Sequence, residues 1–261
     1  MEISIYQIDA FASKLFEGNP AAVSPLDEWL PDEIMQSIAK ENNLSETAFF
    51  VPKCHGFHIR WFTPASEVNL CGHATLAAAY VLFNILGYKK DKIEFYSKSG
   101  MLSVAKNNER IVMDFPAQPP VSCDMPKEIA KAFDIAPIEC LRSEDFIVVF
   151  DREIDIESVN PDFGQLTKLD LRGVIITAKS TRYDFVARFF APKYGIPEDP
   201  VTGSAYTQLA PYWASKIGSK RFSVKQVSAR GGELTCEVVD DRVLISGKAI
   251  KYMDGKIEIE I

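Results

Sequence analysis

Histidine is scarce in this chain, three residues in 261, and cysteine is little commoner, with five. The cysteines stand at 54, 71, 123, 140 and 236. An odd number, scattered along the chain, fits free thiols in a reducing compartment better than a disulfide framework. Cys54, His55 and His58 cluster, but three ligands crowded into one turn with no suitably spaced fourth argue against zinc, and no metal is expected. Basic residues are in deficit, 29 Lys and Arg against 36 Asp and Glu, for a net charge of −7 and a pI near 5.2. Nucleic acid is therefore not an expected partner, because neutralising phosphates takes a concentrated basic face. Glycine-rich dinucleotide and phosphate-loop fingerprints are missing, and Gly231-Gly232 falls at a strand turn, so no nucleotide cofactor is expected. The longest apolar run, Leu76 to Leu86, is broken by Asn84 and falls well short of the ~20 residues of a membrane span. Met1 to Ile5 alternates like a strand from an acidic start and lacks the pattern of a secretory signal. These absences point to a cytoplasmic protein without a membrane partner, with a homodimer as the default assembly.

What the chain does contain is a repetition. Arg60-Trp61-Phe62-Thr63-Pro64 returns as Arg188-Phe189-Phe190-Ala191-Pro192, and Gly72-His73-Ala74 as Gly203-Ser204-Ala205. Gly87, Gly100 and Arg110 recur at Gly218, Gly232 and Arg242, so that five landmarks keep one order at offsets of 128 to 132 residues. Such a period is far longer than that of a solenoid and implies two homologous lobes. With 47% hydrophobic and 25% charged residues, each lobe can bury its own core. Alternating segments predict many short strands, and the Ala- and Leu-rich stretches Gly72 to Leu86 and Gly203 to Lys216 predict one long apolar helix per lobe. The fold class is thus α+β: two lobes, each a curved, mostly antiparallel sheet or barrel around a central helix. Pro211 should bend the second helix. Pro116, Pro119 and Pro120 mark a rigid strap between an N-terminal lobe, 1–115, and a C-terminal lobe, 116–255. A last strand, Lys256 to Ile261, is free to rejoin the first lobe.

Both copies place a small-residue turn before the apolar helix: Cys71-Gly72-His73-Ala74, and Asp199-Pro200-Val201-Thr202-Gly203-Ser204-Ala205. Helix starts present unpaired N–H groups and a positive dipole end, which favour an anion, and glycine lets it approach the backbone. If the lobes bring these starts together, the cleft between them suits a small carboxylate substrate; the alternative is that the glycines only permit tight packing. Glu46 is the lone acid in Asn43 to Phe50. Leading into a buried strand it would lose hydration and be able to exchange a proton, although a solvated carboxylate at a strand end is the simpler reading of the residues alone.

Asn43-Leu44-Ser45-Glu46-Thr47-Ala48-Phe49, Leu70-Cys71-Gly72-His73-Ala74-Thr75, Gly18-Asn19-Pro20-Ala21-Ala22-Val23 and the Asp199 to Ala205 segment together resemble the signature set of the phenazine-biosynthesis PhzF family. The resemblance spans the chain. It implies the fold of diaminopimelate epimerase, an active site between the lobes, and an isomerase that needs no cofactor. It makes Glu46 the proton carrier, lets His73 and Asp199 relay or balance charge, and puts Asn19, Gly72, Gly203 and Ser204 on the substrate. Related epimerases use a cysteine at each helix start. Here Cys71 occupies the first, but no cysteine occupies the second. A single carboxylate that lifts and returns a proton on one face therefore fits better than a two-thiol epimerase or racemase, and Cys71 becomes a packing residue. Family members often carry histidine after Gly-Ser-Ala, where this chain has Tyr206, a position that could face substrate. A non-catalytic metabolite-binding protein is the remaining alternative.

Overall fold

The computed structural model describes residues 1–259. The chain forms two compact units, Met1–Asp114 with the segment from Ser246 onward, and Phe115–Ile245. The C-terminal segment thus returns to the first unit about ten residues earlier than the expected Lys256. The reason is pairing: strand Ala249–Glu258 runs antiparallel along the whole of β1 (Glu2–Ala10), from Ala10 opposite Ala249 to Glu2 opposite Glu258. Glu260 and Ile261, the end of the expected strand, lie outside the described residues.

In the first unit β1 pairs antiparallel with β2 (Asn19–Pro25), a strand that the sequence pattern did not reveal. Helix α1 (Asp32–Asn42) then carries the chain across to β3 (Glu46–Lys53), which lies parallel to β2. Acids in its first turn and Lys40 in its last complement the helix dipole, and Asn43 ends it in the left-handed conformation with its N–H on the Ala39 carbonyl. β3 is antiparallel to β4 (Gly56–Phe62), which meets β5 (Glu67–Val68) antiparallel. Helix α2 (Gly72–Tyr80) follows, then β6 (Lys92–Ser97), parallel to β4, and the antiparallel β7 (Gly100–Asn107) and β8 (Arg110–Pro116).

His73 through Ala79 are all buried, on every side of α2, so the sheet wraps around this helix rather than resting on one face. The expected single helix to Leu86 changes character where the alanines give way to Val81-Leu82-Phe83. There it widens into a π turn, Val81–Ile85, with the Leu86 N–H on the Val81 carbonyl.

The second unit opens with β9 (Val121–Ser122), α3 (Lys127–Ala132), β10 (Glu139–Arg142) and β11 (Phe146–Val149), joined by antiparallel pairing of the three strands. Two short helices, α4 (Glu153–Ser158) and α5 (Phe163–Leu166), lead to β12 (Val174–Lys179), parallel to β11. β13 (Phe185–Ala191) is antiparallel to β12 and to β14 (Ile196–Asp199), and after α6 (Ala205–Ile217) it takes β15 (Arg221–Gln226) in parallel. β16 (Gly232–Val239) and β17 (Arg242–Gly247) complete the succession. From β2 to β7 and from β11 to β16 the order of parallel and antiparallel neighbours is the same.

The repeated Arg-x-Phe motif owes its recurrence to structure. On β4, Arg60 forks onto Glu67 of β5 at 2.8 and 2.9 Å and lies 5.1 Å over the Phe62 ring. On β13, Arg188 forks onto Glu198 of β14 at 2.7 and 3.0 Å and lies 5.0 Å over Phe190. Its third nitrogen reaches back to the Ile156 and Val159 carbonyls at the end of α4.

Helix α6 begins at Ala205, two residues after the expected Gly203, because Gly203 and Ser204 form the turn that enters it. It continues through Pro211. The proline deprives the Thr207 carbonyl of its helical donor, and the Gln118 N–H supplies one at 3.0 Å, while the Gln118 side chain accepts from the Thr207 hydroxyl at 2.8 Å. The proline-rich strap is therefore pinned to α6.

Replacing Arg188 with Met leaves Glu198 and two main-chain carbonyls half-buried without their donor. Urea unfolding should show a loss of about 3 kcal/mol, against less than ~1 kcal/mol for an exposed pair such as Arg142 with Asp170.

Candidate active site

In the first unit the elements just described bring four of the expected residues together. Gly18 turns with φ +71°, and a Cβ there would stand 2.2 Å from the Ala10 carbonyl oxygen, so glycine is required. That turn sets the fully buried Asn19 at the head of β2. The parallel register of β2 and β3 puts Ala21 beside Glu46, at the start of β3. Cys71, in extended conformation, caps α2, with its carbonyl taken by the Thr75 N–H and hydroxyl.

His73 occupies the centre of this group. Its Nδ1 is 3.3 Å from Asn19 Nδ2 and 3.5 Å from Cys71 Sγ, and its Nε2 is 3.1 Å from Glu46 Oε2. The side chains of His73 and Glu46 are only 7% and 12% exposed, so the carboxylate does not point into bulk water. His73 Nε2 and Glu46 Oε2 are close but not aligned as a hydrogen bond, and both atoms are buried with no other partner among the described residues. Burial works against charge on the imidazole, yet the polar groups around it, the Glu46 carboxylate among them, outweigh it and hold His73 well above the usual histidine range. Burial, reinforced by the Glu46 charge, pushes the Cys71 thiol up to about 11, so it is protonated at neutral pH.

Glu46, Cys71 and His73 offer ligand atoms within 4.8 Å of one another. Sulfur and carboxylate approach opposite nitrogens of the imidazole.

In the second unit Asp199 closes β14, and its Oδ2 accepts from the Thr202 hydroxyl at 2.5 Å. Gln226 of β15, buried, binds this turn from below: its amide nitrogen donates to the Asp199 carbonyl at 2.8 Å and its oxygen accepts the Thr202 N–H at 3.0 Å. Ser204 accepts from Arg172 at 3.0 Å. Arg172 is forked onto the fully buried Asp145 at 3.0 and 2.6 Å, and Asp145 is held in turn by the Gln208 amide at 2.7 Å. Gly203 and Ser204 thus sit in a turn braced by two polar networks.

The phenazine biosynthesis-like protein family matches residues 8–255. An uncharacterized isomerase of Pseudomonas aeruginosa is 51% identical over 259 residues, covering 99% of this chain and 100% of the relative. A crystal structure of a PhzF-family phenazine biosynthesis protein from Enterococcus faecalis matches with a TM-score of 0.97 at 45% identity, over 99% of this chain and 100% of that one. The chain belongs to this family. A probable proline racemase from Agrobacterium radiobacter shares the fold alone, with a TM-score of 0.67 at 8% identity over 99% and 93% of the two chains.

In this PhzF-family member Tyr206 does not face solvent or an open pocket. It is fully buried, its ring 6.3 Å from Phe185, which itself stacks on Trp213. Burial above all, with the charges of Cys236 and Asp199, drives its phenol well above the usual tyrosine range. Gln226, Arg172, Asp145 and Gln208 escaped the sequence reading. They come from four segments, and no local spacing links them; only Thr202 lay inside a motif already singled out.

Of the three histidines, NMR titration should place His73 well above 6.5 and His58 below it, the latter lowered by burial and then by Lys53. A raised folded value contributes stability fully below about pH 6.5 that is lost as pH rises through the folded value. The stability of His73→Gln relative to the parent should therefore improve as pH rises above 6.5.

Proposed function

We propose that this protein is an isomerase that moves a proton on a small carboxylic acid, with Glu46 as the single acid and base and no cofactor. The observation that carries the reading is the Glu46–His73 pair: a carboxylate nearly out of water, 3.1 Å from an imidazole, with neither facing atom saturated by the other. Such a carboxylate is free to turn toward a C–H bond. It would accept the proton, leaving the electron pair on the carbon skeleton, and, after exchange of that proton with solvent, return a proton to another carbon on that face. His73 balances the charge of Glu46 before transfer and orients it, and Asn19 lies against the ring's other nitrogen. The unpaired N–H groups of Gly72 and His73 at the start of α2 suit the carboxylate of the substrate or the negative charge developing during transfer. The names of full-length relatives as isomerases support the reaction class.

In the second unit we assign Asp199, Gly203 and Ser204 a substrate-side role, with Gly203 and Ser204 as main-chain donors; the bracing of their turn supports the assignment. A two-thiol epimerase mechanism is disfavoured because no cysteine lies in the Asp199 to Ala205 turn to partner Cys71. A purely metabolite-binding role is separated from catalysis by experiment.

The test is incorporation of solvent deuterium, followed by NMR, across a panel of cyclic and acyclic carboxylic acids. Glu46→Gln should slow uptake by about 10²- to 10⁴-fold while retaining ligand affinity, and Cys71→Ala should leave uptake within a few-fold of the parent. Asp199→Asn should raise KM or lower kcat for the acid that exchanges. Uptake that survives Glu46→Gln removes the proton-carrier assignment, and loss of uptake in Cys71→Ala restores the thiol mechanism. Binding without exchange in the parent supports the binder.

A further inference from the structure

Arg110 is one of the repeated landmarks, and the candidate active site makes no use of it. It opens β8 beside a concavity of about 350 Å³ in the first unit, between the β7–β8 turn, the end of α2 and the start of the C-terminal strand. Three cations, Lys106, Arg110 and Lys248, line it against one acid, Glu109. Lys248 is matched by Glu109 at 2.6 Å, and Lys106 donates at 2.9 Å to Asn84 Oδ1, a neutral acceptor. Arg110 is different: its Nη1 is buried and has no hydrogen-bond partner among the described residues. A guanidinium stays charged at any physiological pH, and a nitrogen of such a group withdrawn from water without an acceptor is costly. The walls thus carry two positive charges in excess, with neutral amides of Asn84 and Asn108 beside them.

We propose that this concavity binds a small metabolite through a phosphate group, held by Arg110 and Lys106. A guanidinium presents paired donors that match the oxygens of phosphate, Lys106 adds a point charge, and the excess of two positive charges matches a phosphate dianion. The volume leaves room for a small organic portion beyond the phosphate, between Tyr80 and Ile250. The site is separate in composition from the Glu46 group and shares no residue with it.

Calorimetric titration of the full-length protein with inorganic phosphate and with glycerol 3-phosphate, at constant ionic strength, tests the proposal. Saturable one-to-one binding is expected, tighter for the ester if the ligand is a phosphorylated metabolite and equal for the two if it is free phosphate. Arg110→Met should weaken binding by tenfold or more, Lys106→Ala by several-fold, and Glu46→Gln should leave it unchanged. Arg110→Met strands no acceptor, so its thermal midpoint without phosphate should equal or exceed that of the parent, while the rise of the midpoint with phosphate should vanish. Lys106→Ala decides the matter if the arginine variant does not fold. Absence of saturable heat in the parent, the same response to sodium chloride, or affinity unchanged in both variants would overturn the proposal.

Discussion

A helix buried on every side has nowhere to place unsatisfied main-chain groups except its ends. That constraint organises each unit of this protein. The interior of α2 is a run of alanines, His73 to Ala79 all buried, and its main-chain donors beyond the first turn are consumed within it. What is left over appears at Gly72 and His73, at the point where Asn19, Glu46 and Cys71 converge. The polar side chains of Asn19, Glu46 and His73 gather at that start.

The second unit obeys the same constraint with different side chains. Its helix is also buried around most of its length, and its entry turn is held by Gln226 and the Arg172–Asp145–Gln208 network rather than by an imidazole. The duplication therefore conserved the scaffold, visible in the twinned Arg60–Glu67 and Arg188–Glu198 forks, while the two helix starts diverged. The imidazole with a nearby carboxylate stands at one start only, and the other offers Asp199 and main-chain donors.

Much of this was legible in the residues. The repetition announced two similar units, the alternation of short segments their sheets, and the Ala- and Leu-rich runs their central helices. Glu46 and His73 were legible through motifs whose elements place them. Less visible was β2, whose Asn19-Pro20-Ala21-Ala22 start lacks alternation because the strand is buried on both faces. Helix α6 reads as bent at Pro211, but no sequence pattern tells that Gln118 will serve the Thr207 carbonyl. Tyr206 reads as a position open to ligand until its ring is seen against Phe185.

Local order and periodicity, carried by nearest neighbours along the chain, are properties of the sequence itself: the duplicated α+β plan, the helix starts, the acid at the head of β3. Contacts between residues far apart in the chain are not. That Glu46 stands 3.1 Å from His73, that Cys71 is held as a thiol, that Arg172 lies on a fully buried aspartate, and that the C-terminal strand closes along β1 from Ala249 were decided only by tertiary structure, because burial and charge pairing depend on which strands become neighbours.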